Sequence, residues 1–398
     1  MLHTPERQPL IPHIQSPSKN NQNHHDQQNH HLITWSEEIR LFFTLAIPSI
    51  FVQLTVTIPD AISISYVGRL TDSIHLDACS LASIILNILC MSLFQGMLSA
   101  SDTLSPQAFA LGNRKEVGLL MMRSYVACLI LVIPINIVAL LFLPRLLLNI
   151  GEDPVVTSKA LDWYHLYLLV APLDLLFYVI WKFLSAQSIM RPLVIVSFIT
   201  NLFILPLCLG SFIRMMGYLG SIVSILVYQL MQITMLLIYL KVYHPHKDGT
   251  WPGLQCWREA MAWSEIKTFM TLGFGGVFAA TEWWFWEIVS ALAGSLGIIP
   301  FSIHTVPTQV INVVYMVPVG IGLALNVRLA HALTTNVERA KKLLIACYII
   351  SLLVVLCIAL VMYGFRWWIF RTFSSDEVVV EVRKVYSSSG LLDTLIDS

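Results

Sequence analysis

Thr281-Glu282-Trp283-Trp284-Phe285-Trp286-Glu287 sets two carboxylates and four large aromatic rings inside an apolar run, Phe269 to Leu296. A run of that length crosses a bilayer as one helix. A charged carboxylate at the centre of a membrane helix costs about 2.5–3.5 kcal/mol on insertion scales, so an acid kept there faces a polar cavity and has a task. Glu282 lies almost at that centre. The two acids stand roughly 140° apart around a helix, so they flank a broad sector and do not hold one ligand edge-on. Trp286 follows Glu282 by one turn and Trp283 precedes Glu287 by one turn, which places an indole beside each carboxylate. Carboxylate with indole is a site for an organic cation. The plain alternative is an interfacial aromatic belt, but belts sit at helix ends near the headgroups.

The rest of the chain agrees with a membrane setting. Of its 398 residues 56% are hydrophobic and only 12% charged, against about 25% charged in soluble domains. Lys plus Arg (24) balances Asp plus Glu (24) with no basic block, which leaves nucleic acid and acidic substrates without support. The cysteines at 79, 90, 128, 208, 256, 347 and 357 are scattered singly and read as free, packed thiols rather than a disulfide or zinc framework. A Gly-rich phosphate loop, a membrane His-box and a Ser-His or Ser-Lys dyad at helical spacing are absent, so the chain does not read as an enzyme.

Residues 1–35 are polar, rich in Asn, Gln, His and Ser, and read as a disordered tail. The tail lacks the apolar, basic-flanked start of a cleaved signal peptide. It contains Glu6-Arg7-Gln8-Pro9-Leu10-Ile11, which resembles an acidic dileucine sorting signal, and His24, His25, His30 and His31, a composition bias rather than a metal site. Nine spans follow, near 42–66, 76–110, 117–143, 160–186, 191–212, 216–240, 268–296, 300–332 and 340–365. Six of them make an N-lobe over 36–240, a connecting loop covers 241–267, and three spans and a fragment of a fourth make a partial C-lobe over 268–398. With the N-terminus in the cytoplasm, the cytoplasmic side carries about twice the Lys and Arg of the other side, as the positive-inside rule asks. An internal repeat lays Gly96 to Val117 over Gly320 to Lys341; transporters built from such repeats hold substrate between them.

Four ordered motifs carry a family resemblance: Ser101-Asp102-Thr103-Leu104 with Gln107-Ala108-Phe109, Phe183-Leu184-Ser185-Ala186-Gln187 with Arg191-Pro192, Glu282-Trp283-Trp284 to Glu287, and Met316-x-Pro318-x-Gly320 to Arg328. From about residue 36 to 385 the chain resembles the multidrug and toxic compound extrusion (MATE) family, its eukaryotic branch most closely. The resemblance implies twelve helices in two six-helix lobes around a V-shaped cleft, and export of organic cations or metabolites in exchange for protons or sodium. Ser105 and Pro106 depart from the family's Cys-Gly, and His331 and Thr334 from its Asn and Gly. The carboxylate that prokaryotic members keep in the first helix falls at Ser63; Asp60, one turn earlier, either substitutes for it or lines a polar seam. Most of helix ten and helices eleven and twelve are expected to have no counterpart in these residues.

The expected architecture is therefore an all-α polytopic membrane helix bundle, a two-lobed transporter with a six-helix N-lobe and an incomplete C-lobe. Glu282 and Glu287, with Trp283 and Trp286, are the expected cation site, holding the substrate when ionised and releasing it when protonated. Asp102 and Asp60 are further candidates, although pairing within the lobe fits Asp102 as well. Gln187 and Asn201 read as interhelical hydrogen-bonding groups. No cofactor is expected beyond the coupling proton or sodium ion. The expected partners are the lipid bilayer of the plasma or vacuolar/lysosomal membrane, a small organic cation or metabolite, and a full-length homologous transporter should this chain be a truncated, inactive or regulatory isoform. A lipid-linked-sugar flippase is a further alternative, opposed by the acidic centre.

Overall fold

The computed structural model describes residues 35–251, 253, 256–295, 298–335 and 337–373; the expected tail and the C-terminal fragment lie outside the described residues. The chain divides into two compact units, Met1–Leu41 and Phe42–Ser398. The described part of the first is residues 35–41, the opening turns of α1 (Trp35–Leu70), where Glu37 and Glu38 occupy the first turn and suit its dipole.

The second unit is built of helices joined by short turns and one longer loop, with no strand among its described residues. After α1 come α2 (Ser73–Leu86), a π-helical turn at Asn87–Met91, α3 (Ser92–Ala110), α4 (Arg114–Ile150), α5 (Pro154–Ala186) and α6 (Arg191–Ile199). A second π turn, Thr200–Ile204, leads into α7 (Leu205–Met216), α8 (Leu219–Tyr243), the short α9 (Trp257–Ala260), α10 (Trp263–Ser295), α11 (Ile298–Thr335) and α12 (Val337–Phe373). Among the described residues eight helices are long and apolar enough to cross a membrane, and the protein is a multi-pass membrane protein. The expected seventh span corresponds to α10, which is 33 residues long but lies outside those eight.

Tight connections force neighbouring spans to run antiparallel. Between α4 and α5, Gly151 takes a left-handed φ of 101°, and Asp153 caps α5 by accepting hydrogen bonds from the backbone N–H groups of Val155 (2.7 Å) and Val156 (3.2 Å), with Pro154 at the first helical position. Alternation places the α3–α4 connection, the start of α10 and the end of α11 on one side, here called the near face. The α2 and α5 starts share the far face.

The π turns leave carbonyls that polar side chains must satisfy in lipid. Asn136 of α4 donates to the Leu89 carbonyl of the first π turn (3.3 Å) and to Val132 (2.9 Å), and accepts from the Tyr164 hydroxyl. Asn201 of the second donates to the Thr55 carbonyl of α1 (3.1 Å) and to Ser197 (2.8 Å).

The most extensive packing between elements joins α3 to α10, and it depends on missing side chains. A Cβ on Gly96 would lie 2.6 Å from Val277 Cα, and one on Gly276 would overlap Ser99 and the Gly96 carbonyl oxygen. Gly273 abuts Met97 in the same way. Small residues let membrane helices approach backbone to backbone, where dispersion and weak hydrogen bonding replace the hydrophobic effect. Gly320 of α11 lies as close to Ile50 of α1, and the rings of Phe109 and His331 meet edge to face at 5.8 Å. All these contacts fall in the near half, between the first six spans and the last three. Gly276→Ala is expected to lower stability by about 1–3 kcal/mol through overpacking, whereas Gly275→Ala, whose Cβ meets nothing within 4 Å, leaves it unchanged or higher; thermal unfolding in detergent compares the two.

Candidate functional site

The helix that carries the acidic and aromatic stretch has two unlike faces. One is fixed: beyond the glycine seam, Trp284 donates its indole N–H to Ser92 Oγ at 2.7 Å, tying mid-α10 to the first turn of α3. The residues Gly273, Val277, Ala280 and Trp284 follow one another at three- and four-residue steps, the stripe of a packed helix face. On the other side Glu282 is exposed, as are Phe285 and Trp286, whose rings meet edge to face at 5.7 Å. Glu282 and Trp286 are one turn apart, so a carboxylate and an indole share an open sector of α10. The backbones of Trp283 and Glu287 continue this helix and that of Asp60 lies in α1, but their side chains lie outside the described residues.

Asp102 has a different setting. Lys182 Nζ of α5 lies 2.8 Å from each of its carboxylate oxygens, with both side chains less than a fifth exposed; the ammonium also sits 5.4 Å from the centre of the Trp181 ring. Opposite charges in a membrane span satisfy each other and avoid the cost of an unpaired ion. The arrangement therefore joins Asp102 to α5 within the first six spans, while Glu282 faces the open side of α10. Gln187 caps the end of α5, donates to the Phe183 carbonyl (3.2 Å), and accepts from Lys247 N–H (2.9 Å) and the Thr250 hydroxyl (3.3 Å), which anchors the loop after α8. Asn201 supports the second π turn as described above.

Sequence reasoning missed Lys182; a lysine four residues before the end of an apolar helix, opposite an acid of matching depth, was the available signal. It also missed a polar cluster at the near face. Arg123 of α4, only 5% exposed, pairs with Glu116 and reaches Glu265 of α10 at 3.8 Å. Lys115 holds Glu259 at 2.6 Å, and Arg114 donates to the Asp248 carbonyl at 3.2 Å. These charges bind the start of α10 and the connecting loop to α4 where the glycine seam closes.

Antiparallel membrane helices, π turns in two spans and an acid-bearing helix packed on glycines make an all-α polytopic membrane bundle. The MatE family model matches residues 48–209 and 277–398, and the chain belongs to that family. It is 29% identical over 378 residues to multidrug and toxin extrusion protein 1 of Oryctolagus cuniculus, covering 92% of this chain and 64% of that protein, and 30% identical to the Xenopus tropicalis protein of the same name over 379 residues, covering 91% and 63%. The chain thus spans a little under two thirds of the length of these curated relatives. Among solved structures, the eukaryotic MATE transporter AtDTX14 superposes with a TM-score of 0.78 at 22% identity, over 87% of this chain and 77% of that one, which shows the shared fold.

Lys182→Met, which leaves the Asp102 carboxylate unpaired, is expected to cost about 3–5 kcal/mol. Adding Asp102→Asn to the same chain recovers part of that loss because the orphaned charge is removed. Unfolding midpoints of the two single variants and the double variant test the coupling; additive losses contradict the pairing.

Proposed function

We propose that this chain acts as a secondary antiporter of organic cations, driven by protons, with Glu282 as the exchanging acid and Trp286 as the aromatic wall. The observation that carries this reading is the open sector of α10, where an exposed mid-span carboxylate and an indole share a face while the opposite face is packed against α3. A carboxylate attracts a cation by charge and an indole by its ring quadrupole. A proton and a cation bind at the same carboxylate oxygens, so one acid takes the two in turn. Competition between the two ligands for one group makes their movements opposite. The curated relatives are named for multidrug and toxin extrusion, which supports the same chemistry.

The near face, which gathers Arg114, Lys115, Arg123, Arg258 and Lys267, is the cytoplasmic one under the positive-inside rule. Closure there by the glycine seam and the α4–α10 charges leaves the acid accessible from the far side. Opening the seam gives the cytoplasmic substrate its turn, since each ligand stabilises the conformation that it binds better.

The test is uptake of a quaternary ammonium probe into proteoliposomes carrying a pH gradient. Glu282→Gln is expected to abolish exchange with unchanged insertion, and Trp286→Ala to weaken probe affinity by about 1–2 kcal/mol, roughly 5- to 30-fold. Normal exchange by Glu282→Gln sinks the assignment, and uptake driven by a sodium gradient alone replaces the proton as coupling ion.

A further inference from the structure

A second carboxylate is buried in the first six spans, and the mechanism above does not use it. Asp174 of α5 is 9% exposed and accepts a hydrogen bond from the Tyr167 hydroxyl. Tyr167 stacks on Trp163 with ring centres 5.8 Å apart and planes 10° from parallel, and Trp163 donates its indole N–H to Ser221 of α8 at 2.9 Å. Residues 163, 167 and 174 fall within about 40° of one another around the helix, so they form one inward stripe running from the far face toward mid-membrane.

The stripe begins in a cavity. Trp163 and Ser221, with Ser63 of α1 and Cys79 and Ser83 of α2, line a space of about 10 Å³, on the scale of one water molecule. Over it, at the far-face ends of α2 and α5, Lys159 Nζ lies 3.1 Å from His75 Nε2, and both groups lean on Tyr218: the imidazole stacks at 4.7 Å and the ammonium sits 5.1 Å from the ring centre. His75 Nδ1 is buried without a hydrogen-bond partner and lies 3.9 Å from the Asp72 carboxylate. A lysine that donates to Nε2 requires that nitrogen to be an acceptor, so protonation of the ring there displaces the lysine. The contact over the cavity is therefore one that a proton breaks.

We propose that Asp174 is a proton-uptake site loaded from the far face, reached through the His75–Lys159 contact and the Trp163–Ser221 cavity, with Tyr167 relaying to the carboxylate. One proton from far-face water adds to a carboxylate oxygen, giving the neutral acid, and leaves by the same oxygen; no other bond changes. The titratable groups that face Asp174 are Tyr167 on its own helix, Cys90 of the first π turn and Tyr228 of α8, both within its electrostatic reach, and Tyr125 of α4, whose hydroxyl lies 3.4 Å from the Pro172 carbonyl. The Asp102–Lys182 pair lies about two turns further toward the near face.

Infrared difference spectroscopy of the full chain in proteoliposomes, between about pH 5 and pH 8, reads the carbonyl band of a protonated carboxylic acid without needing transport. The expected band is lost in Asp174→Asn, retained in Glu282→Gln, shifted in Tyr167→Phe and indifferent to sodium. His75→Phe, which keeps a ring on Tyr218, is expected to change the rate at which the band appears after a pH jump on the far side. An Asp174→Asn band like the parent's overturns the proposal, as does a band that sodium suppresses. If Asp174→Asn fails to fold, a Tyr167→Phe band at the parental position overturns it equally. Loss of transport in Glu282→Gln leaves this result untouched, so the two sites fail or stand separately.

Discussion

The backbone approach of α3 and α10 is the contact on which the rest of the arrangement depends. Lipid gives two apolar helices no hydrophobic reason to meet, so their association rests on shape and on hydrogen bonds. Gly96, Gly273 and Gly276 supply the shape, and the Trp284 indole bonded to Ser92 supplies the hydrogen bond. With one face of α10 fixed in this way, its register sets which way Glu282 and Trp286 point. The acid sits on an open sector because the opposite sector is fully used.

Inside the first six spans the same constraint works through polar groups. Asn136 of α4 donates to a carbonyl of the first π turn, and Asn201 of the second π turn donates to the Thr55 carbonyl of α1, so each ties two helices together. Asp102 and Lys182 answer the same demand with charge. These groups tie the first six spans to one another. The Arg123 cluster lies at the boundary instead, where its ion pairs hold α4 to α10.

Much of the fold was legible because membrane burial writes itself into composition: the apolar runs and the polar punctuation at Gly151-Glu152-Asp153-Pro154 give spans and turns directly. The α10 stretch stood out for a related reason, since acids at mid-span are costly and therefore conspicuous. Partnerships were not legible. Asp102 read equally as a cation-facing acid or as half of a pair, because helix periodicity gives a residue's face but not the helix opposite it. Neither Lys182 nor Asp174 stands out among the apolar residues of α5, although Asp174 is a buried acid in a membrane span. The glycines of α10 looked like ordinary small residues until Gly276 was seen against Gly96. Ser92, an unremarkable residue in the sequence, matters only because Trp284 reaches it.

The proposed opening of the glycine seam is tested most directly by the distance across it. Spin labels at Leu111, beyond the end of α3, and at Trp263, at the start of α10, both exposed, report the near-face separation of the two helices in proteoliposomes. Two distance populations, whose ratio changes when a pH gradient is imposed and shifts toward the longer one in Gly276→Ala, are the expected result. A single distance, the same with and without the gradient, contradicts the account.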